Sequence, residues 1–338
     1  MVKKIIVVLV IVILGAYLMT NRTNKLTDEI STPKNNQVTE TLGEDLPEMA
    51  IEVMRQRDYP GSEIIIEETL GSGVNYERYI ASYISEGNKI YGLLTIPEGE
   101  RGQKFPIIAF IHGYIAPSEY KTTERYVAYQ DGLARNGFIT FKIDLRGHGK
   151  SEGEAVNSHF SDKYVVDTIN AINSLKMLEK ANADRVGIWG HSNGGEIGLR
   201  TMTVTNDVDA GVFWAGVVGS FEGMLETYNS KIPFLNLERN IPEIVKINGK
   251  PSENPEFWQK IDPYAYLVDI KGAIQLHHGT RDVSVPMELS RLLRDEMVKV
   301  GGDIELYEYE GADHNLSAPA FSLAMDRTIE FFRQNLVN

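Results

Sequence analysis

Six short apolar runs constrain this chain more than any other feature. They read FPIIAFIHG (105–113), NGFITFKIDLRG (136–147), DRVGIWG (184–190), DAGVFWAG (209–216), GAIQLHHG (272–279) and IELYEYEG (304–311). The first is a continuous apolar run, which marks a strand buried on both faces, and the second is read as another such strand. Helical patterns fall between the runs, at Tyr120–Asn136, Lys163–Leu178, Gly194–Thr203, Pro286–Val300 and Ala318–Asn335. Strand and helix in alternation imply right-handed crossovers. The predicted fold class is therefore α/β: a mostly parallel twisted sheet with helices on both faces. At 338 residues the chain holds one such domain plus an N-terminal extension.

Two segments depart from the alternation. YERYIASYISEGNKIYGLLTIPEG (76–99) is rich in Tyr and Ile, with a turn at Glu86-Gly87-Asn88, and reads as an antiparallel N-terminal hairpin. Residues 220–263 carry four prolines before Pro263 and read as a cap-like insertion over the carboxyl edge of the sheet.

The N-terminus reads differently. Lys3 and Lys4 precede the uncharged run Ile5–Met19, and Arg22 and Lys25 follow it. The run is shorter than most spanning helices and as long as the longest signal-peptide cores. No small-x-small cleavage site stands out near Ala16. Residues 1–20 are thus expected to be a membrane anchor with the domain outside the cytoplasm, the alternative being a signal peptide and a secreted protein. Residues 21–62 read as a polar linker with a short helix around Pro47–Arg57, and 63–338 as the folded domain.

In open parallel sheets, ligands bind beyond the carboxyl ends of the strands. Chemically capable residues stand at several of those ends. Gly190-His191-Ser192-Asn193-Gly194 lies between a strand and a helix, the context in which G-x-S-x-G presents a nucleophilic serine on a sharp turn. Asp282 follows the GAIQLHHG run, and His314 follows IELYEYEG. The order Ser192, Asp282, His314 is that of a nucleophile, an orienting carboxylate and a general base in this architecture. His112-Gly113 ends the first run, so the backbone N–H groups of Tyr114 and Asn193 are candidate oxyanion donors. Asp313 reads as a turn or cap residue. Asp144 and Arg146 read as braces of the surrounding loops, and His148 and His191 as supporting or exposed. His277-His278 does not resemble a metal site, because neighbouring strand residues face opposite ways.

Charge and composition exclude other classes. Formal charge is −13, which argues against a nucleic-acid surface. The chain has no cysteine, which excludes disulfides, thiolate metal sites and a cysteine nucleophile. No metal or organic cofactor is expected, and the expected partner is a small ester or peptide substrate.

In these residues the chain resembles an α/β-hydrolase, and within that superfamily the catalytic domain of the prolyl oligopeptidase family. The motifs are GNKIYGLLTIP, FIHGY, DLRGHGKSEG, GIWGHSNGG, HHGTRDVSVP and YEGADHNL, in the family's order, over Tyr79 to Asn335. The resemblance implies a serine hydrolase working through an acyl-enzyme. Family peptidases often carry an N-terminal β-propeller, and several hold the substrate amine with paired glutamates from it. Residues 20–78 are too short for one. That departure shifts weight from peptidase toward esterase without separating the two. The contrasting reading, a catalytically silent membrane-tethered binding module, is opposed by the complete Ser-Asp-His set.

Overall fold

The computed structural model describes residues 47–231 and 241–337. The apolar run Ile5–Met19 and the linker as far as residue 46 lie outside the described residues. Among the described residues no helix is long and apolar enough to cross a membrane.

The strands are β1 (Ile65–Thr69), β2 (Tyr76–Ser85), β3 (Asn88–Pro97), β4 (Phe105–Ile111), β5 (Ile139–Ile143), β6 (Ala181–His191), β7 (Ala210–Trp214), β8 (Ala273–Gly279) and β9 (Ile304–Tyr309). They form one sheet in the order β1-β2-β3-β5-β4-β6-β7-β8-β9. The first four strands in that order pair antiparallel, and every pairing from β5 onward is parallel. This is the mostly parallel sheet of an α/β-hydrolase. The hairpin turn is two residues long, Glu86-Gly87, with φ of 47° and 78°. Positive φ at both positions gives a turn whose twist matches that of the flanking strands. The fully exposed strand β1 lies outside the hairpin, at the sheet edge.

Every residue of β4 to β8, apart from 182–185 in β6, is buried. Alternate side chains enter opposite layers, so these strands are buried on both faces. Ile107, Ala109 and Ile111 pack with Ile169, Leu199 and Leu293 on one face. Ile108 and Phe110 pack with Leu133, Ile329 and Phe332 on the other. The longer helices are Val127–Arg135, Lys163–Lys176, Asn193–Val204, Met287–Lys299 and Ala320–Leu336. The first begins seven residues later than its apolar pattern suggests. Arg125 and Tyr126 have φ of 51° and 53°, a left-handed conformation that cannot join a right-handed helix.

Sheet order positions the site. After β4 the chain steps to one side, and after β5 it returns to the other, so β4 lies between β5 and β6. A crevice opens at the carboxyl ends where the order reverses. Ile111 of β4 is opposite Gly190 of β6. The residues that follow these two, His112-Gly113 and His191-Ser192, therefore meet at the crevice.

The stretch from Pro47 packs against the sheet layers rather than trailing free. Ile51 and Met54 of the short helix Ile51–Arg55 are fully buried. Arg55 donates to Thr203 O, and Arg57 pairs with Asp162. The described residues of 220–263 form a small cluster. Phe221, Leu225, Trp258 and Ile261 pack with Met49, Val285 and Leu289.

Arg146 ties three elements together. Its Nε and Nη2 donate to the two Asp167 oxygens at 2.9 and 2.6 Å, and its Nη1 reaches Glu86 at 3.0 Å. Asp167 is fully buried on the helix Lys163–Lys176, and Glu86 is in the hairpin turn. Removing one partner of a buried pair strands the other charge, so Asp167→Ala is expected to lower the unfolding free energy by ~3–5 kcal/mol. Urea denaturation of the two proteins measures it, and a loss below ~1 kcal/mol would contradict the bracing role.

Candidate active site

Ser192 stands on the corner between β6 and the helix Asn193–Val204, with φ 55° and ψ −119°. That conformation costs a non-glycine residue ~1–3 kcal/mol. Backbone hydrogen bonds hold it in place: Ser192 N–H donates to Trp214 O at 3.0 Å, and its carbonyl accepts from Gly195 and Val217 at 2.9 and 3.0 Å. Close approach explains the flanking glycines. A Cβ on Gly190 would lie 2.4 Å from Gly194 O, and one on Gly194 would lie 2.2 Å from Ile111 O. A Cβ on Gly113 would meet the Ser192 Cβ at 3.0 Å, so the β4 loop and the serine corner are in direct contact.

Tyr114 follows Gly113, with its side chain 73% exposed at the crevice. Asn193 is the first residue of the helix, where N–H groups have no intrahelical acceptor. Among the described residues no group accepts the N–H of Tyr114 or Asn193. Both are therefore available to an incoming oxygen, and the positive end of the helix dipole favours a negative one.

Asp282 and His314 are brought together across the ends of β8 and β9. His314 Nδ1 lies 2.7 Å from Asp282 Oδ2, and the Asp282 side chain is fully buried. The carboxylate divides its work. Oδ1 accepts the backbone N–H groups of Ser284 and Val285 at 2.7 and 2.9 Å, while Oδ2 faces the histidines. The turn-capping and orienting readings of Asp282 therefore both hold, one per oxygen. Burial opposes its charge, but hydrogen bonds from His278 and His314 outweigh burial and hold the carboxyl well below the usual carboxylate range. Since Oδ2 is then only an acceptor, His314 Nδ1 donates the proton of that hydrogen bond. Asp313 turns away and caps Asn315 and Ser317, as expected of a turn residue.

Three further residues hold this arrangement: His278 and Tyr126, to which the sequence reading gave no role, and His191, which it read as supporting or exposed. His278 Nε2 lies 3.1 Å from Asp282 Oδ2 and 3.1 Å from Val285 O, and its Nδ1 lies 2.7 Å from Ser290 Oγ. The signal was the His277-His278 pair itself: adjacent strand residues face opposite layers, so one of them had to face the loop of Asp282. Tyr126 and His191 form a second link. Gly113 N–H donates to Tyr126 Oη at 3.0 Å, and Tyr126 Oη lies 2.8 Å from His191 Nδ1. His191 Nε2 lies 3.0 Å from His314 O. A carbonyl only accepts, so His191 Nε2 donates and Nδ1 accepts from the Tyr126 hydroxyl. Burial first, and then the charge of His314, push the His191 pKa down to about 3, so the ring stays neutral. One relay thus connects the β4 loop, the serine corner and the loop of His314.

A cavity of about 400 Å³ opens beside Tyr114 and Asn193. Its walls come from residues 112–117 and 145–164, and no described residue of 220–263 lines it. The described part of the cap-like insertion packs near Val285 and Leu289. Among the described residues no group of three His, Asp or Glu side chains is placed to hold a metal ion.

Comparison with known proteins gives consistent matches. The prolyl oligopeptidase family matches residues 126–338. An uncharacterized peptidase of Bacillus subtilis (strain 168), YtmA, is 26% identical over 237 residues, covering 70% of this chain and 85% of that one. Dipeptidyl peptidase 4 of Sus scrofa is 23% identical over 234 residues, covering 68% of this chain and 29% of that one. The chain thus spans under a third of that longer relative. Among solved structures, the Pyrococcus horikoshii acylaminoacyl peptidase aligns with a TM-score of 0.64 at 22% identity, over 78% of this chain and 42% of that one. Acetyl xylan esterase 1 from Thermoanaerobacterium sp. JW/SL YS485 aligns with a TM-score of 0.60 at 20% identity, over 83% and 90%. At these identities the structural likeness shows a shared fold.

The relay through Tyr126 is testable. Tyr126→Phe leaves the Gly113 N–H and His191 Nδ1 without their partner, at ~1–3 kcal/mol for each stranded group. The rate at which a fluorophosphonate labels Ser192 is expected to fall ~10-fold or more, with the protein still folded by circular dichroism. An unchanged rate would show that the relay does not position the site.

Proposed function

The chain belongs to the prolyl oligopeptidase family of serine hydrolases, and from that premise we propose that it cleaves ester or amide bonds through an acyl-enzyme on Ser192. The observation that carries the reading is the buried Asp282 carboxylate 2.7 Å from His314 Nδ1, beside a serine on a strained strand-to-helix corner. In this mechanism Ser192 Oγ attacks the carbonyl carbon, and its proton passes to His314 Nε2. The imidazolium forms next to ionised Asp282, which stabilises it and keeps the ring oriented. Negative charge gathers on the carbonyl oxygen, where the N–H groups of Tyr114 and Asn193 receive it. The tetrahedral intermediate collapses as His314 protonates the departing oxygen or nitrogen. Water, deprotonated by the same histidine, then attacks the ester on Ser192 and releases the acid. No step requires a metal or an organic cofactor.

Ester and amide hydrolysis share these steps and differ in the leaving group. A screen of short p-nitrophenyl esters against aminoacyl and prolyl anilides decides which the protein prefers. Ser192→Ala and His314→Ala are each expected to lower kcat by ~10⁴-fold or more, and Asp282→Asn by ~10³–10⁴-fold. Fluorophosphonate labelling should disappear in Ser192→Ala. Wild-type activity in Ser192→Ala would defeat the mechanism, and a folded wild type that takes no label would favour the silent binding module.

The reading also includes an anchor. The apolar run Ile5–Met19 behind Lys3 and Lys4 supports a membrane-held protein with its domain outside the cytoplasm. Full-length protein is then expected to sediment with membranes after alkaline carbonate washing and to be released by detergent. Recovery in the soluble fraction without detergent would reject the anchor.

A further inference from the structure

We infer that the cavity beside Ser192 is the acyl pocket and that it admits an uncharged acyl group while rejecting charged ones. The inference rests on the proposed mechanism and adds a substrate class to it.

Position assigns the cavity to the acyl side. It is lined by Gly113, Tyr114 and Asn193, the residues around the proposed oxyanion donors. Neither Asp282 nor His314 lines it. His314 has to hand its proton to the departing atom, so the leaving group lies on the His314 side. The part of the substrate that stays bonded to Ser192 lies on the other side, where the cavity opens.

The lining then decides what fits. Among the described residues no Asp, Glu, Lys or Arg lines the cavity. Its conspicuous polar groups are the imidazoles of His112, His148 and His159. His112 Nδ1 lies 2.7 Å from Gly113 O. The His148 ring lies between Arg146 O and Ile115 O, at 3.3 and 3.2 Å. His159 Nδ1 lies 3.1 Å from Ser158 Oγ. Burial pushes His112 and His159 down to about 3, so those two rings are neutral, and it lowers His148 as well. Leu145, Tyr164 and Ile197 supply apolar wall.

Charges near this wall are engaged elsewhere. Arg146 is held by Asp167 and Glu86. Asp144 accepts the hydroxyls of Tyr120 and Thr122. Arg200, fully buried behind the wall, donates to Ser158 O and Ser161 O at 3.2 and 2.9 Å. A charged acyl group entering the cavity would lose its water and find no opposite charge, whereas a neutral group of the same size loses little.

The test uses full-length protein in detergent and three p-nitrophenyl esters: hexanoate, its ω-carboxylate analogue and its ω-trimethylammonium analogue. kcat/KM for hexanoate is expected to exceed both charged analogues by ~100-fold or more, the scale set by burying an unpaired charge. Asn157 lines the cavity, and its Oδ1 accepts the His159 N–H at 3.0 Å. Asn157→Asp keeps an acceptor there and adds one negative charge. The ratio of trimethylammonium ester to hexanoate turnover is expected to rise ~10-fold or more in that variant, and the ratio for the carboxylate ester to fall. Charged esters cleaved within ~3-fold of hexanoate, or ratios unmoved by Asn157→Asp, would overturn the inference while leaving the hydrolase reading intact. No cleavage of any ester together with no fluorophosphonate labelling of Ser192 would fail at the serine, and would remove the mechanism and the inference together.

Discussion

The backbone of Ser192 is the constraint on which the rest of the site depends. A φ of 55° and ψ of −119° lift the residue off the end of β6 and turn the chain at once into a helix. Such a corner closes only if nothing fills the space on either side. Gly190 and Gly194 leave it empty, since a methyl group on either would drive into a carbonyl oxygen. The corner is also clamped by three backbone hydrogen bonds to Trp214, Gly195 and Val217, so the strain is held by β7 and by the helix itself. Reversal of strand order at β4 then brings Gly113 against the serine. Position, strain and access to the backbone donors all follow from that one turn.

Around this corner the protein uses neutral hydrogen-bonding groups as mechanical links. Tyr126 and His191 connect three loops that belong to distant parts of the sequence, at Gly113, Ser192 and His314. The link works because burial keeps His191 neutral, with one nitrogen donating and the other accepting. A charged ring would donate from both nitrogens and lose the tyrosine as a donor to it. Asp282 is the opposite case. There the charged form is favoured because two backbone N–H groups and two histidines converge on one carboxylate. Neighbouring groups are thus held in different ionisation states by what surrounds each of them.

Much of this was legible in the sequence. Short, mostly apolar runs marked the buried strands, and the helices Lys163–Lys176 and Met287–Lys299 end within two residues of their apolar patterns. Ser192, Asp282 and His314 were legible because each follows a strand, and the strand ends of a parallel sheet converge on one crevice. Less legible were residues whose role depends on a partner far away in the chain. Tyr126 sits in what reads as a helix, and its left-handed backbone appears only once the chain must turn toward Gly113. The cavity wall between 145 and 164 carries no pattern that marks it as a pocket wall, because its lining residues come together only in the folded chain.

By itself, then, the sequence determined the layer architecture, the corner at Ser192 and the placing of Ser192, Asp282 and His314 just beyond strand ends. These are encoded locally, in apolar period and in glycine spacing. Only the tertiary structure decided which loops touch, which histidine supports Asp282, and that among the described residues no Asp, Glu, Lys or Arg lines the cavity beside Ser192. Hydrogen-bond partners and burial depend on where segments more than a hundred residues apart come to rest. His191 and His314 are 123 residues apart in the chain and 3.0 Å apart at their contact. No local pattern in either segment records that contact, because it exists only when both strands have taken their places in the sheet.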